Sequence, residues 1–314
     1  MKNQYVLVLH GGAGTISPEE IEAEKAYRDG MMVALNAGIA ILERGGSAVD
    51  AVVETVRQLE DCPLFNAGHG AVFNEDQRHE LDAAVMDGAT LRAGAIASVD
   101  RIRNPVLTAR EVMDGGRSVF LSADGAERFA TERGLEMVDP GYFSTPLRRL
   151  QLEAVRRHDL NSQMLDHALA PRDGMPDGRF GTVGAVALDR AGHLAAATST
   201  GGMTNKQAGR IGDAPVIGAG TYANDSTCAI SATGTGEHFI RACAAHDIHA
   251  RMKYGNQPLG QAMASTISET ITPLGGEGGL IGVDGHGNIA MQFNSVGMYR
   301  AWVYEGYQPE AAIF

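Results

Sequence analysis

The apolar positions of this chain follow two periods. Met32, Leu35 and Ile39 recur at the spacing of one helix face, and Gly45-Gly46 ends that run. Similar spacing or start signals predict helices at 47–59, 105–113, 146–155, 237–253 and 259–271. Short alternating or continuously apolar runs predict strands instead. They lie at residues 5–9, 81–86, 91–98, 182–188, 193–200, 226–233, 279–283 and 289–293.

Two pairs of these strands are joined by short polar turns. Residues 189–192 and 284–288 are rich in Gly and Asp, and each is flanked by two of the runs above. Such hairpins pair their strands antiparallel. Because helices and strands are mixed in both halves of the chain, we predict an α+β fold. Two stacked, mainly antiparallel sheets between helix layers fit better than a doubly wound parallel sheet.

One polar stretch shows neither the helical nor the strand period. Residues 159–181 are crowded with Pro, Gly and Asp near their end, a composition that predicts a flexible linker. The strand at 182–188 begins directly after it, at Gly181-Thr182. If that peptide bond breaks, Thr182 gains a free α-amine beside its hydroxyl, so that a nucleophile and a general base share one residue. The dipeptide alone also fits an ordinary strand start after a surface loop.

Composition limits the classes of partner. Of 314 residues, 44% are hydrophobic and 20% charged, which is typical of a globular protein. The formal net charge is −12 without any block of Lys or Arg, so nucleic acid and anionic membranes are excluded as expected partners. Three scattered cysteines without a CxxC pair indicate neither a disulfide framework nor a zinc ribbon. Since no signal segment or membrane-spanning run is recognised, the expected location is cytoplasmic.

Polar clusters follow Thr182 at the ends of predicted strands. Arg210 and Asp213 place a cation and an anion three residues apart, the pair needed to bind the carboxylate and the ammonium of an α-amino acid. Residues 232–237 join a strand to a helix start, where amides can stabilise an oxyanion or hold a carboxylate. Each cluster taken singly also fits a surface or structural role, but together they indicate a catalytic site.

Eight segments form a specific pattern when taken together. They are residues 10–14, 65–68, 81–83, 104–105, 181–187, 198–202, 209–213 and 233–237. In them the chain resembles the plant-type asparaginases, also called isoaspartyl peptidases, of the N-terminal-nucleophile hydrolase superfamily. The resemblance spans nearly the whole chain and implies a four-layer αββα sandwich in a single domain, 1–314. It also implies autocleavage into an α subunit, 1–181, that ends in the linker 159–181, and a β subunit, 182–314.

The resemblance assigns roles around the cleavage site, between Gly181 and Thr182. Thr182 would cut the chain and then act as the nucleophile, with its α-amine as base. Thr200 and Thr233 would support it by hydrogen bonds. The Asn66 side chain and the Thr233–Gly234 region would face the oxyanion that develops on the substrate.

Further roles follow for substrate and metal binding. Arg210 would bind the substrate α-carboxylate, while Asp213 and the Gly236 carbonyl would hold its α-ammonium; Thr233 and Gly234 would also contact the substrate. No cofactor is implied for catalysis. A structural sodium ion is implied in a loop of main-chain carbonyls, from Leu59, Glu60, Cys62, Phe65, Ala67 and His69.

The implied activity is a two-step acyl transfer. Thr182 would attack the β-carbonyl of L-asparagine or a β-aspartyl dipeptide, and water would then hydrolyse the resulting ester to release L-aspartate. Two cleaved chains would assemble as an (αβ)₂ heterotetramer. Alternatives are a glycosylasparaginase-type amidase and a catalytically silent binding protein with the same fold. A serine esterase and a nucleotide-binding module are disfavoured, since G-x-S-x-G, G-x-G-x-x-G and a Walker A lysine are absent.

Overall fold

A computed structural model describes residues 4–14, 21–157 and 181–314 of the chain. The predicted linker therefore lies outside the described residues, except for Gly181. The strands are β1 (Val6–Gly14), β2 (Leu81–Asp87), β3 (Ala93–Val99), β4 (Phe120–Ser122), β5 (Val183–Leu188), β6 (Leu194–Thr200), β7 (Thr221–Ala223), β8 (Cys228–Gly234), β9 (Gly278–Asp284), β10 (Ile289–Phe293), β11 (Gly297–Tyr304) and β12 (Glu310–Ala312).

The described residues also contain α-helices. They are α1 (Ile21–Glu43), α2 (Ala48–Asp61), α3 (Pro105–Gly115), α4 (Ala123–Glu132), α5 (Pro146–Arg157), α6 (Gly236–Ala242), α7 (Ala244–Gly255) and α8 (Leu259–Ser265). A π-helical turn continues α8 at Thr266–Ile271, and 3₁₀ turns lie at Pro140–Phe143 and Thr272–Leu274. At the start of α2, the Ser47 hydroxyl accepts a hydrogen bond from Asp50 N at 3.1 Å, which caps the helix.

Two sheets hold all of these strands. The larger has the order β12-β11-β1-β5-β6-β2-β3-β4, and the smaller has the order β10-β9-β8-β7. Every pair of neighbours is antiparallel except β3 with β4. The predicted α+β class with mainly antiparallel sheets is therefore confirmed.

Side-chain alternation along the strands builds the layers. On β1, Leu7 and Leu9 pack in one core with α1, α2 and α3, whereas Val6 and Val8 pack between the sheets. The smaller sheet divides in the same way: alternate residues of β8 face the larger sheet, and the others pack against α6, α7 and α8. The result is a four-layer αββα sandwich, as expected.

Several elements depart from the sequence prediction. The predicted helix 237–253 is two helices, because Cys243 between them adopts a left-handed conformation with φ 46°. Strand β1 continues past the predicted end through residues 10–14, with a register shift against β11 between His10 and Gly12. The segments β4, α4, β7, β11 and β12 were not predicted, since β4, β7 and β12 have three residues each and carry little pattern.

The described residues include no helix long and apolar enough to cross a membrane. All three cysteines are free thiols: Cys228 is buried, Cys62 is half-buried and Cys243 is exposed. The prediction that no disulfide framework holds this fold therefore agrees with the structure.

Candidate active site

The predicted nucleophile lies at the end of two central strands of the larger sheet. Val183 of β5 pairs with Ser199 of β6 in antiparallel register, so Thr182 lies opposite Thr200 one step further on. Both threonines are buried. Alternation places them on the face that looks towards the smaller sheet, where Thr233 of β8 is also buried. Stacking of the two sheets therefore brings together three threonines that lie far apart in sequence.

The peptide before Thr182 is closely surrounded. A Cβ placed on Gly12, whose φ is +112°, would lie 2.8 Å from Gly181 N and 2.9 Å from Gly181 O. A Cβ placed on Gly181 would overlap the Thr233 hydroxyl oxygen. That oxygen in turn accepts a hydrogen bond from Ala13 N at 3.3 Å. The irregular end of β1 thus holds the predicted scissile peptide against Thr233, and only glycine fits at the two closest positions.

Asn66 is joined to Thr200 through one turn. The Asn66 amide donates to the Gly202 carbonyl at 2.6 Å, and its oxygen accepts from Val72 N at 3.0 Å. Gly202 N donates to the Thr200 hydroxyl oxygen at 3.0 Å. The structure therefore brings Asn66 to the turn that follows β6. Its role towards an oxyanion stays a prediction, because this amide hydrogen bond is made to the protein.

The predicted amino-acid pair meets at the start of α6. A Cβ on Gly236 would lie 2.9 Å from both a guanidinium nitrogen of Arg210 and Oδ1 of Asp213. Arg210 also makes a two-point ion pair with Glu237, with N–O distances of 2.8 and 2.9 Å. Glu237 received no role in the sequence analysis. In the sequence, only its position directly after the glycine-rich strand end indicates a role. Its ion pair with Arg210 cannot be recognised without the fold.

Asp213 is an unusual carboxyl group in this site. Its side chain is 2% exposed, and Oδ2 has no hydrogen-bond partner among the described residues. Burial raises the pKa of Asp213 to about 7, although the charge of Arg210 acts in the opposite direction. A buried carboxylate oxygen without a donor is a costly arrangement that a bound cation would relieve.

Two buried charged residues, Asp82 and Lys206, lie behind Thr200. Asp82 of β2 pairs with Thr200 in the antiparallel register, and its Oδ1 accepts from Ser98 N at 2.9 Å. Burial raises the pKa of Asp82, and the nearby charge of Lys206 lowers it. The Lys206 ammonium donates to the Glu80 carbonyl at 2.9 Å and packs beside Gly202. Nothing in the sequence indicates that Asp82 and Lys206 lie near each other.

The loop predicted to bind sodium follows α2 and is a series of tight turns. The Glu60 carbonyl accepts from His69 N at 2.7 Å, and the Cys62 carbonyl accepts from Phe65 N at 3.3 Å. Gly68 has φ +50°, and a Cβ there would overlap the Glu60 carbonyl. Carbonyl oxygens suit a hard cation, and each keeps a second lone pair beyond its hydrogen bond. The donor chemistry of the loop therefore fits sodium.

Arg148 of α5 holds the other side of this loop. Its fully buried guanidinium donates to the carbonyls of Gly70 and Leu64 and to the Gln151 side chain. Burial lowers the pKa of Arg148 to about 10, so the group remains charged at neutral pH. The loop that carries Asn66 is thus tied to the last helix before the predicted linker.

The Glu60 side chain joins the same loop to β6. Its Oε1 accepts from the Ser199 hydroxyl at 2.6 Å and from Val106 N at 2.9 Å. Burial raises the pKa of Glu60 to about 8, which favours the neutral acid at pH 7. These contacts fix the residue that precedes Thr200.

Comparisons with known proteins point to a single family. A family model described as asparaginase matches residues 3–313. The chain is 53% identical to the isoaspartyl peptidase of Escherichia coli (strain K12) over 311 residues, covering 98% of this chain and 96% of that protein. It is 52% identical to the isoaspartyl peptidase of Salmonella typhimurium, covering 99% of each.

The chain also matches a plant protein. The chain is 37% identical over 326 residues to a probable isoaspartyl peptidase/L-asparaginase of Arabidopsis thaliana, and the match covers 99% of each protein. Because the family model and all three relatives match almost the full chain, the predicted resemblance is confirmed. This chain belongs to the asparaginase family of hydrolases.

Proposed function

We propose that this chain is an autoprocessing threonine hydrolase that cleaves the β-amide of L-asparagine and of β-aspartyl dipeptides. The names of its relatives support the isoaspartyl peptidase and asparaginase activity. One structural observation supports the threonine mechanism above others. The Gly181-Thr182 peptide is buried between Gly12 and Thr233, whereas an ordinary connecting loop runs over the protein surface.

Autoprocessing is proposed as an intramolecular acyl shift. The Thr182 hydroxyl oxygen attacks the Gly181 carbonyl carbon, the C–N bond breaks, and the nitrogen becomes the free α-amine of Thr182. Water then hydrolyses the ester that links Gly181 to the hydroxyl. Thr233, whose hydroxyl lies against Gly181, is proposed to support the reacting peptide during this step.

The mature enzyme repeats the chemistry on a substrate. The α-amine takes the proton of the Thr182 hydroxyl, the oxygen attacks the β-carbonyl, and ammonia or an amino acid leaves. Water releases L-aspartate from the ester. Arg210 is proposed to bind the α-carboxylate, while Asp213, whose Oδ2 has no hydrogen-bond partner in the described part of the chain, and the Gly236 carbonyl take the α-ammonium. Asn66 and the Thr233–Gly234 region are proposed to stabilise the oxyanion.

The intact mass of freshly purified protein, followed during incubation at neutral pH, tests this proposal. We expect two fragments that meet between Gly181 and Thr182, and release of aspartate from L-asparagine or a β-aspartyl dipeptide only after they appear. An asparagine-linked glycan as a parallel substrate distinguishes the glycosylasparaginase alternative. An uncut and inactive chain would instead favour the silent binding protein.

The pH dependence should report Asp213 together with the Thr182 α-amine, which must be unprotonated to act as the base. Because the pKa of Asp213 in the free enzyme is about 7, the carboxyl group is mostly neutral below that pH and does not attract an ammonium ion. We expect kcat/KM to rise as pH increases through about 7 and to level off above it. Initial rates on a β-aspartyl dipeptide between pH 5.5 and 8.5 measure this. A profile that is flat across the range, or that falls between pH 6 and 7.5, would contradict the assignment.

Three further features are proposed with this function. The carbonyl loop after α2 is proposed to bind a structural sodium ion, which would fix the segment that carries Asn66 without entering the chemistry. Two cleaved chains are proposed to form the (αβ)₂ assembly. A cytoplasmic location is proposed, supported by the three free thiols.

A further inference from the structure

Four buried polar side chains lie between the two sheets, in a core layer whose other members are apolar apart from the threonines of the candidate active site. They are His10 on β1, Thr198 on β6, Thr221 on β7 and Ser231 on β8, and none has measurable exposure. Their surroundings include Val8, Val186, Ala196, Ile281 and Val283. Polar groups in such a layer are unfavourable unless they are hydrogen-bonded, so their contacts need an explanation.

The four side chains form one continuous series of contacts, which we call the hydroxyl chain. His10 Nε2 lies 2.8 Å from the Ser231 hydroxyl oxygen, which lies 2.8 Å from that of Thr198. The Thr198 and Thr221 hydroxyl oxygens are 2.6 Å apart. The Thr221 hydroxyl also lies 3.0 Å from the Ala214 carbonyl oxygen. The hydroxyl chain therefore crosses from one sheet to the other and ends on a main-chain group.

One end of the hydroxyl chain lies at the proposed nucleophile. The His10 ring lies close to the main chain of Thr182, although its Nδ1 has no hydrogen-bond partner among the described residues, and burial lowers the pKa of His10 to about 3. The imidazole is therefore neutral at the pH of the reaction. Next along β5, Gly184 is packed so closely that a Cβ there would overlap the Ser231 hydroxyl. These contacts restrict movement of β5, which begins directly after Thr182, relative to His10.

The other end lies at the proposed substrate site. Ala214 directly follows Asp213, and Gly220 N donates to the Asp213 carbonyl at 3.1 Å. The Thr198 hydroxyl also approaches the Gly220 carbonyl, at 3.3 Å. Both main-chain groups belong to the loop between β6 and β7 that carries Arg210 and Asp213, residues 210–220. The hydroxyl chain thus contacts this substrate loop at two carbonyls.

The proton order of the hydroxyl chain connects its two ends. Each hydroxyl has one hydrogen, so when Thr198 donates within the hydroxyl chain rather than to the Gly220 carbonyl, neighbouring groups donate in the same direction along the chain. In one order, Thr221 donates to the Ala214 carbonyl and His10 donates from Nε2. In the other, Thr221 donates to Thr198 and His10 accepts at Nε2, which requires the other imidazole tautomer. While Thr198 donates within the hydroxyl chain, a change of donor at the substrate loop is accompanied by a change of tautomer at the ring beside Thr182.

We propose that His10, Ser231, Thr198 and Thr221 are positioning residues that couple the Thr182 main chain to the substrate loop. This inference rests on the proposed function, because it assumes that Thr182 reacts and that the loop binds substrate. Its consequence is that breaking the middle of the hydroxyl chain affects both ends. A change in the autocleavage rate or in kcat indicates an effect at the Thr182 end, and a change in KM indicates an effect at the substrate loop.

A matched pair of variants at Thr198 tests the coupling. Thr198→Val keeps the shape of the side chain and removes the hydroxyl, whereas Thr198→Ser keeps the hydroxyl and removes a methyl group. We expect Thr198→Val to lower the autocleavage rate and kcat about tenfold and to raise KM about threefold or more, as loss of a buried hydrogen bond predicts. Thr198→Ser should stay within about twofold of the wild type in all three.

Thr108→Val is the control for removing a buried hydroxyl elsewhere. Thr108 is fully buried on α3, and its hydroxyl has no partner among the described residues. This variant should keep the wild-type autocleavage rate, kcat and KM. If Thr198→Val does not fold, Ser231→Ala breaks the hydroxyl chain one residue closer to His10, and the same three quantities are measured.

The possible outcomes are distinct. A Thr198→Val enzyme with a lower melting temperature but wild-type autocleavage, kcat and KM would overturn the coupling and leave a purely structural role. Equal damage from Thr198→Ser would also overturn it, because packing rather than the hydroxyl would then be responsible. A wild-type protein that neither cuts itself nor hydrolyses β-aspartyl substrates would overturn the proposed function, and the coupling with it.

Discussion

Thr182→Ala is expected to leave the chain uncut and to lower β-aspartyl hydrolysis by roughly 10⁴-fold or more, the scale seen when a covalent nucleophile is removed. The reason is that the variant loses the attacking oxygen for both proposed reactions, while the surrounding β5 and β6 ladder needs only main-chain atoms at this position. The intact mass and the rate of aspartate release from a β-aspartyl dipeptide measure the two losses separately.

Thr182→Ser is the matched control for this experiment. It keeps the hydroxyl and removes only a methyl group from a residue that is 5% exposed. We expect slower but complete cleavage, followed by measurable hydrolysis. Cleavage of the Ala variant after Gly181, or hydrolysis near the wild-type rate by an uncut chain, would rule out Thr182 as the reacting group.

Asp213→Asn is expected to lower kcat/KM by about 10²- to 10³-fold, the scale for removing one partner of a buried charge pair. The amide nitrogen would face the substrate ammonium as a donor, and the negative charge that opposes it would be lost. The measurement is steady-state kinetics on L-asparagine and on its deamino analogue. The wild type should discriminate strongly between the two, and the variant should discriminate much less.

Stability separates this effect from misfolding. Because the folded pKa of Asp213 is about 7, above its usual value of 3.8, its contribution to stability is greatest at low pH and is lost as pH rises through about 7. At pH 8 the wild type holds an ionised carboxylate in a buried site. We therefore expect Asp213→Asn to melt at the same temperature as the wild type or higher at pH 8. An unchanged preference for asparagine over its deamino analogue would show that another group binds the ammonium.

The hairpins at 182–200 and 279–293 and the helix start at Ser47 were predictable because their signals are local. Turn residues, capping side chains and side-chain periods act over fewer than about ten residues. The strands β4, β7 and β12 were not predictable, since three residues carry too little pattern, and neither was the break at Cys243, where a left-handed residue separates two helices. Extension of β1 through residues 10–14 also required its partners, β5 and β11.

The candidate site, too, was predictable from the sequence only in part. The sequence by itself determined the residue types and the order of Thr182, Arg210 and Asp213, and alternation within β5 determined which face Thr182 occupies. Only the stacking of the two sheets decided that Thr233 lies against Gly181, because β5 and β8 belong to different sheets and the two residues are about 50 positions apart in sequence. The pairing of Arg210 with Glu237 and the hydroxyl chain depend on the same stacking, since contacts between distant segments form only when both sheets are in place.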